Sequence, residues 1–464
     1  MMNRRQFLSH SCALGAAVPT LGTSLLSLGV ARTAAAQAVP NDYKALVCIL
    51  LAGGNDSYNM LVPTDNSQYA QYAAIRSDLA LPAGELLPLS VTAADNASFG
   101  LHPGMGALQG LINNGDASLI ANVGTLLEAF DPLAVENGTA RLPVGLFSHS
   151  DQIAQWQTAV PDGRVSEGWA GRIADRMQSA NMANGIAMNL SLSGTNTFQS
   201  GAQTVEYSIS SQGDGATGLN AYADGSEGSD YRTGVIDQLL SVEQQQILRR
   251  EYRGRLRGAL DNQQTFATAM ADAAELATPF SMNPLSGALR QIARVISVQN
   301  LLGAQRQTFF VTVGGWDHHD EVLQNQAAML PMVANALAEF RSALIELDAW
   351  NDVTTFTISD FGRTMTSNGR GSDHGWGGHH VVMGGSVQGG QVFGRYPTLA
   401  ANAPLDVGRG VYAPTTSVDL YFADLALWFG VPITDLDQVL PNVRSFYSPE
   451  SGVPALGLFG SSNG

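Results

Sequence analysis

The stretch KALVCILL, Lys44–Leu51, is a continuous apolar run that is typical of a strand buried on both faces of a sheet. Similar runs follow along the chain, and stretches with apolar residues at helical spacing lie between them. Strands separated by helices favour a mostly parallel central sheet with helices on both faces. We therefore predict an α/β fold, with further strands at 118–123, 185–192, 308–313 and 353–358 and helices at 151–158, 169–179, 237–277, 284–302 and 321–350.

Acidic residues and histidines follow three of these strands, at the point where each strand ends. Asp56 follows the first strand, Asp317 and His319 follow the strand at 308–313, and Asp360 follows the strand at 353–358. Because ligands collect beyond the carboxyl ends of parallel strands, we expect these side chains at one edge of the sheet. Asp56 alone is equally well explained as a helix cap or a turn residue.

Five of the eight histidines lie between residues 318 and 380. Imidazoles and carboxylates are ligands for zinc, manganese and iron, so this clustering predicts a metal-dependent active site. The glycine-rich segment at 371–385 contributes His374 and the neighbouring pair His379 and His380. Successive side chains of a strand point to opposite faces, so we expect one member of that pair at most to face the site.

Residues 1–38 are typical of an export signal. Arg4 and Arg5 precede a short apolar run, and Ala36 and Ala38 form a small-residue cleavage site, which together predict a twin-arginine signal peptide. Glycine and proline interrupt the apolar run, so we expect no stable membrane anchor. These features predict export by the twin-arginine machinery and a periplasmic or secreted protein.

The chain is acidic, with a formal net charge of -16 and Lys44 as its only lysine. Such a surface repels phosphate backbones, so a nucleic-acid partner is not expected. Cys48 is the one cysteine beyond the predicted signal peptide, which excludes a disulfide within residues 39–464. Stability must therefore come from packing and from any bound metal.

Residues 39–464 show no convincing domain boundary, and we predict a single domain. A stretch rich in glycine and serine at 210–233 predicts a long surface loop, which is either a lid or an insertion without function. A helical insertion is predicted at 237–302. Its arginine-rich run, from Arg249 to Arg257, is typical of a solvated helix face.

Several motifs together resemble the exported domain-of-unknown-function family 1501, which is placed in the alkaline phosphatase and sulfatase superfamily. The motifs are LAGGNDSYNMLVP at 51–63, SHSDQIAQWQT at 148–158, GGWDHHD at 314–320, and SDFGRT followed by DHGWGGHH. The resemblance covers essentially all of the chain beyond the signal peptide. It implies an alkaline-phosphatase-like fold, two metal positions and a nucleophile at a helix N-terminus.

The resemblance also implies which residues bind metal. Asp56 and Asp360 match the ligands of one metal position, and Asp317, His319 and His374 match those of the other. The expected cofactor is therefore one or two divalent ions, of zinc, manganese or calcium.

One residue departs from the superfamily pattern. Alkaline phosphatases have a histidine directly after the aspartate that matches Asp360, whereas this chain has Phe361. The second metal position therefore lacks a ligand unless Asp373, His379 or His380 replaces it. For this reason the sequence leaves open the alternative of a site that binds a single metal ion.

The nucleophile implied by the resemblance is a serine, a threonine or a modified cysteine at the start of a helix, where free amides stabilise an oxyanion. Ser148 and Ser150 open such a helix, although either is also a normal helix cap. We favour Ser148, with His149 as an acid, a base or a ligand. Arg363 is the candidate for holding a substrate oxyanion, the alternative being a structural salt bridge.

These expectations describe an exported metal-dependent hydrolase of phosphate or sulfate esters of a small molecule or a glycan. The alternative is a non-catalytic metal- or glycan-binding protein of the cell envelope on the same scaffold. Phe361 and the open choice of nucleophile favour this alternative, whereas the histidines and aspartates oppose it.

Overall fold

A computed structural model describes residues 42–177, 181, 187–219, 222–223, 225–242, 245–400 and 403–460, so the predicted signal peptide lies outside the described residues. The strands are β1 (Lys44–Leu51), β2 (Leu61–Pro63), β3 (Leu87–Pro88), β4 (Thr92–Ala93), β5 (Phe99–Leu101), β6 (Ala117–Gly124), β7 (Asn189–Ser191), β8 (Tyr207–Ser208), β9 (Arg306–Val313), β10 (Val353–Ser359), β11 (Arg363–Ser367), β12 (Ser372–His374), β13 (Gly378–Met383), β14 (Gln391–Gly394) and β15 (Thr416–Ser417). The helices are α1 (Asn66–Arg76), α2 (Gly106–Asn113), α3 (Pro132–Glu136), α4 (His149–Thr158), α5 (Trp169–Met177), α6 (Ser229–Ser241), α7 (Ile247–Met270), α8 (Pro284–Ser297), α9 (Val322–Glu346), α10 (Val418–Phe429) and α11 (Leu436–Val439).

The main sheet contains ten strands in the described part of the chain, in the order β4-β14-β6-β13-β10-β1-β9-β7-β8, with β15 paired to β6. Strand β1 lies between β10 and β9 and is parallel to both. All of its residues after Lys44 are buried, as the apolar run predicts. Among the described strands of this sheet, β13 alone runs antiparallel to its neighbours. The predicted mostly parallel α/β sheet is confirmed.

Helices cover both faces of the sheet. On one face, alternate residues of β1 (Ala45, Val47 and Ile49) share a core with α2, α8 and α9. On the other face, Trp169 of α5 stacks on Phe422 of α10 at a ring-centroid distance of 4.7 Å, close to the central sheet. Both faces of the central strands are therefore shielded from solvent, which explains why their sequences are continuously apolar and do not alternate between apolar and polar residues.

Helix α9 is long and apolar enough to cross a bilayer by length and composition. Many of its apolar side chains, among them Leu330, Val333 and Leu337, are buried in the core beside the sheet. The composition of α9 is that of a core helix.

The insertion differs in detail from the predicted elements. The helix predicted at 237–277 consists of α6 and α7, and Val242, which follows α6, has an extended backbone. Helix α6 begins at Ser229, inside the stretch at 210–233 that was predicted as a loop. Gly228 precedes α6 with a φ of 78°, a left-handed conformation that glycine adopts without strain. The loop prediction was therefore wrong at its C-terminal end.

Candidate metal centre

The loops that follow β1, β9 and β10 begin side by side at one edge of the sheet. Leu51 at the end of β1 pairs with both Val313 of β9 and Ser359 of β10. The loop after β1 packs directly against the loop after β9. A Cβ atom at Gly53 would lie 2.5 Å from the backbone nitrogen of Asp317, so this close approach requires glycine. The predicted meeting of strand ends at one edge is confirmed for these three strands.

Three imidazoles surround the carboxylate of Asp317. The Nε2 atom of His319 lies 3.1 Å from Oδ1, that of His374 lies 3.5 Å from Oδ1, and that of His149 lies 3.5 Å from Oδ2. One ligand atom each of His149, Asp317 and His374 can be chosen so that all lie within 4.8 Å of one another. His149 is the first residue of α4, so the start of this helix completes the cluster.

The second nitrogen of each imidazole faces a hydrogen-bond acceptor. The Nδ1 atom of His149 lies 2.7 Å from Asp360 Oδ2, that of His319 lies 3.2 Å from Asp373 Oδ1, and that of His374 lies 2.8 Å from the carbonyl oxygen of Phe147. Since these oxygens accept, each Nδ1 donates, and each neutral ring then directs an Nε2 lone pair toward Asp317. Metal-binding histidines are oriented by such acceptors in this way.

This geometry fits a bound cation. The Nε2 atoms of His319 and His374 are only 3.0 Å apart, and two lone pairs at that distance repel each other unless a proton or a metal ion lies with them. In a tetrahedral zinc site, ligand atoms at about 2.1 Å from the ion are about 3.4 Å from one another. The distances from Asp317 to the three Nε2 atoms are close to that spacing.

The pKa values of Asp317 and His374 favour the ligand forms. Burial raises the pKa of Asp317, but the hydrogen bond and the charge of Arg363 outweigh burial and lower it. Burial lowers the pKa of His374, and the charge of Arg363 lowers it further. The carboxylate is therefore ionised and the His374 ring is neutral near neutral pH, as metal ligands must be.

Arg363 has a different position from the one predicted. Its side chain is fully buried and donates to Asp317 and to the backbone oxygens of Gly53, Gly54 and Ser372. The guanidinium is thus surrounded by acceptors of the protein itself. These contacts agree with the alternative of a structural salt bridge that fixes Asp317, and a role of Arg363 in holding a substrate oxyanion stays a prediction.

Asp360 contacts the cluster through His149. Its Oδ1 accepts from the Gly53 amide at 3.0 Å, and its Oδ2 accepts from His149, so both oxygens orient neighbouring groups. The carboxylate is almost fully buried. The structure therefore places Asp360 as the residue that positions His149, where the resemblance implied a direct metal ligand.

The Asp360→Asn substitution is expected to weaken zinc binding by about 10- to 100-fold. An asparagine whose oxygen stays on the Gly53 amide presents its NH2 group to His149 Nδ1, which moves the ring proton to Nε2 and removes the ligand lone pair. Competition with a chromogenic chelator measures the affinity. The exposed Asp320→Asn is the matched control, and equal affinity in both variants would contradict the role of Asp360.

Asp56 is not part of the cluster of imidazoles. Its carboxylate is fully buried and accepts from Arg76 Nη2 at 2.7 Å and from Ser372 Oγ at 3.0 Å. The structure thus gives this predicted metal ligand a buried ion pair with an arginine of α1.

Ser148 lies at the N-cap position of α4, yet its hydroxyl makes no capping hydrogen bond. The hydroxyl instead faces Ser150 Oγ at 3.2 Å, and hydrogen bonds from Arg164 and then from Ser148 lower the pKa of Asp151. The predicted start of this helix is correct to within two residues. The contacts of Ser148 direct its hydroxyl toward the helix start and do not link it to the imidazoles.

Phe361 occupies the place where the superfamily pattern has a histidine. Its buried ring packs against His149 at a centroid distance of 4.9 Å and against His374 at 4.6 Å. Gly54 makes room for this ring, because a Cβ atom there would lie 2.5 Å from Phe361 Cε2. An apolar ring thus packs against two of the three imidazoles of the cluster.

Three more histidines of the motifs are buried and are not among the three imidazoles around Asp317. His318, His379 and His380 are each less than one-twentieth exposed. His379 accepts a hydrogen bond from the Asn122 amide at its Nδ1 atom, and His380 packs on Trp156 at 4.7 Å. The sequence predicted that one of the pair at most faces the site, and the structure places both in the interior.

Acid is expected to destabilise the protein through this buried pair. Burial lowers the pKa of both His379 and His380 from 6.5 to about 3. The unfolded chain therefore takes up these protons first, and the free energy of unfolding falls as the pH drops from about 6.5 toward 3. Urea unfolding between pH 7 and pH 4 measures this slope. His380→Phe should reduce it, and an unchanged slope would contradict the assignment.

The sequence did not identify two contributors to the cluster. The sequence predicts Asp373 only as a replacement metal ligand, whereas in the structure its carboxylate orients the His319 ring. Phe147 has a φ of 73°, an unusual conformation for a non-glycine residue, and its carbonyl oxygen accepts from His374. A backbone carbonyl leaves no signal in a sequence, but the acidic residue directly before His374 does.

Solved structures with weak similarity to this chain include Ps i-CgsB, with 10% identity, a TM-score of 0.35 and coverage of 88% of this chain and 78% of that chain. Another is the soluble domain of lipooligosaccharide phosphoethanolamine transferase A from Neisseria meningitidis, with 7% identity, a TM-score of 0.33 and coverage of 86% and 93%. A third is a mutant of the alkaline phosphatase PafA, with 12% identity, a TM-score of 0.25 and coverage of 71% and 64%. The similarity is low at these TM-scores, and the order and direction of the strands in the sheet define the fold class.

No curated protein sequence is significantly similar to this chain. A family model described as "Protein of unknown function (DUF1501)" matches residues 43–409, which include β1, the whole cluster around Asp317 and the helical insertion. The motifs quoted from the sequence lie within this range. The protein therefore belongs to the DUF1501 family.

Proposed function

We propose that the protein is a hydrolase or transferase of phosphate or sulfate esters that works with one divalent metal ion. Its ligands would be His149, Asp317, His319 and His374. The observation that supports this most is that three Nε2 atoms lie 3.1–3.5 Å from the Asp317 carboxylate, while every Nδ1 faces an acceptor. Such an arrangement is unfavourable without a cation and is the normal environment of a bound one.

The ligand set favours zinc or manganese over calcium. Imidazole nitrogens suit zinc and related ions, whereas calcium prefers six or more oxygen ligands. A bound ion of this kind supplies Lewis acidity toward an ester oxygen. The protein holds the ligands in place: Asp360 keeps the proton of His149 on Nδ1, the Phe147 carbonyl does the same for His374, and Arg363 fixes Asp317.

The ligand side chains are accessible to a substrate. Asp317 is 45% exposed and His319 is 46% exposed, so the cluster lies at the surface of the sheet edge and is not a closed structural site. Structural zinc sites are normally closed, whereas catalytic sites keep an open position. The packing of Phe361 beside two of the ligands supports one ion in place of two.

The alternative function is a metal-binding protein of the cell envelope without hydrolase activity. The contacts of Ser148 favour it, because the hydroxyl faces Ser150 and Asp151. Arg363 also supports it, since its buried guanidinium is not available to a substrate. Water activated at the centre would still allow hydrolysis without a serine nucleophile.

We further propose that the twin-arginine machinery exports the protein to the periplasm or the exterior, where a small-molecule or glycan ester is its substrate. The sequence of residues 1–38 and the net charge of -16, which disfavours nucleic acid, support this. A chain exported in the folded state is able to carry a metal that was inserted before export.

A panel of aryl phosphate monoesters, aryl phosphate diesters and aryl sulfates, assayed with zinc, manganese and calcium, tests the activity. We expect turnover of at least one ester class. If Ser148 is the nucleophile, Ser148→Ala retains metal and fold but loses most turnover, because only the covalent step is removed. Ser150→Ala is the matched control.

The outcomes of this panel separate the candidates. Full activity in Ser148→Ala would assign the attack to Ser150 or to water. Bound metal without turnover of any ester in the unchanged protein would favour the binding protein.

A further inference from the structure

A cleft of about 460 Å³ opens beside the candidate metal centre. Two of the proposed ligands, His319 and His374, line this cleft. The apolar residues Phe147, Val407 and Val411 and the cationic Arg409 also line it, together with Thr364, Asp373 and Gly408. Apolar walls with a few polar groups are typical of sites that bind small organic molecules.

The backbone of Arg409 is held in an unusual conformation. Its φ is 58°, and it lies between Gly408 and Gly410, which also have positive φ. Thr366 Oγ1 donates to the Arg409 carbonyl at 2.5 Å, and the Met365 amide donates to the Gly410 carbonyl at 2.8 Å. Non-glycine residues persist in this region when the surroundings fix them, often at binding sites. The loop therefore presents Arg409 from a fixed position.

The guanidinium of Arg409 is both exposed and close to the centre. Its side chain is 78% exposed and forms an ion pair with Asp373. The other oxygen of Asp373 faces His319 Nδ1 at 3.2 Å. A carboxylate and an imidazole ring thus lie between Arg409 and the Nε2 atoms.

We propose that the cleft binds the organic part of the ester and that Arg409 binds a second anionic group on it. The substrate class is then an ester with an anionic ester group at one end, an apolar body and a further carboxylate or phosphate at the other. The apolar body contacts Phe147, Val407 and Val411. This inference rests on the proposed function, because the metal centre is what would hold the ester group.

Binding of two phosphonates to the zinc-loaded protein tests this, since phosphonates resemble the ester group but are not hydrolysed. Phenylphosphonate has one anionic end, and 4-carboxyphenylphosphonate has two. Isothermal titration should show about tenfold tighter binding of the second ligand, a contribution typical of a charge-assisted contact. In Arg409→Gln this preference for the ligand with two anionic ends should fall to within about twofold.

Arg370→Gln is the matched control. Arg370 is 77% exposed and pairs with Asp320, so its loss changes the local charge equally but leaves the cleft intact. The preference should persist in this variant. Equal binding of both phosphonates by the unchanged protein, or an equal loss of preference in both variants, would overturn the role of Arg409 and leave the proposed function standing. Binding of neither phosphonate to a zinc-loaded protein would overturn both.

Discussion

The His374→Ala protein is expected to lose bound metal and ester turnover together while it keeps its fold. The Nε2 atom of His374 lies 3.0 Å from His319 Nε2 and 3.5 Å from Asp317 Oδ1, so its removal takes away a central ligand. We expect zinc affinity to fall by more than about 100-fold, since even the loss of an outer partner costs 10- to 100-fold. Elemental analysis and chelator competition measure this.

Thermal unfolding provides an independent measurement of the same change. A ligand that binds only the folded state at 100 times its dissociation constant stabilises it by about 2.7 kcal/mol. A strong chelator should therefore lower the Tm of the unchanged protein and leave that of His374→Ala unaffected. His102→Gln is the control, because His102 accepts from the Gly104 amide and lies outside the cluster. Equal metal content in His374→Ala and the unchanged protein would contradict the centre.

Strand ends are the part of the site that the sequence predicts best. The run at Lys44–Leu51 has no polar alternation, which is possible only for a strand covered on both faces, and the structure has β1 in that position. Parallel neighbours must then end at the same edge. For this reason the sequence alone predicts that Asp317 and His319, which follow β9, lie near the end of β10.

The side-chain partners were not predictable in the same way. Arg363 follows a strand end as Asp360 does, and only the structure shows that backbone oxygens surround its guanidinium. His149 enters from α4, and no strand-end rule applies to a helix N-terminus that reaches the edge from elsewhere. The roles of these residues depend on burial and on contacts distant in sequence, which periodicity does not encode.

Asp56 is a further residue whose partner could not be predicted from the sequence. The Asp56→Asn substitution is expected to lower the free energy of unfolding by about 3–5 kcal/mol. The ion pair with Arg76 is completely buried, with both side chains at 0% exposure. Arg76 also donates to Asn59 Oδ1 and to the Thr364 carbonyl, each at 3.1 Å, so the guanidinium stays in place when its counter-ion is removed. The cost is that of an uncompensated buried charge.

Urea unfolding of Asp56→Asn measures this loss. The double variant Asp56→Asn with Arg76→Met should recover part of the stability, because no charge then remains buried. Asp95→Asn is the matched control, since Asp95 pairs with Arg395 at 2.9 Å and both side chains are 70% exposed. Exposed pairs of this kind contribute little, so no measurable change is expected there.

Metal content decides between the two roles of Asp56. If the Asp56 carboxylate acts only as the counter-ion of Arg76, the zinc content per chain of Asp56→Asn equals that of the unchanged protein at a temperature where both are folded. If Asp56 is instead a metal ligand, as the family resemblance implies, the variant loses zinc and its Tm no longer responds to chelator. The Arg76→Met protein adds a second comparison, because it removes the ion pair but keeps the Asp56 carboxylate, with Ser372 Oγ still able to donate to it. Loss of zinc in Asp56→Asn but not in Arg76→Met would assign Asp56 to a metal, and normal zinc in both would assign it to the fold.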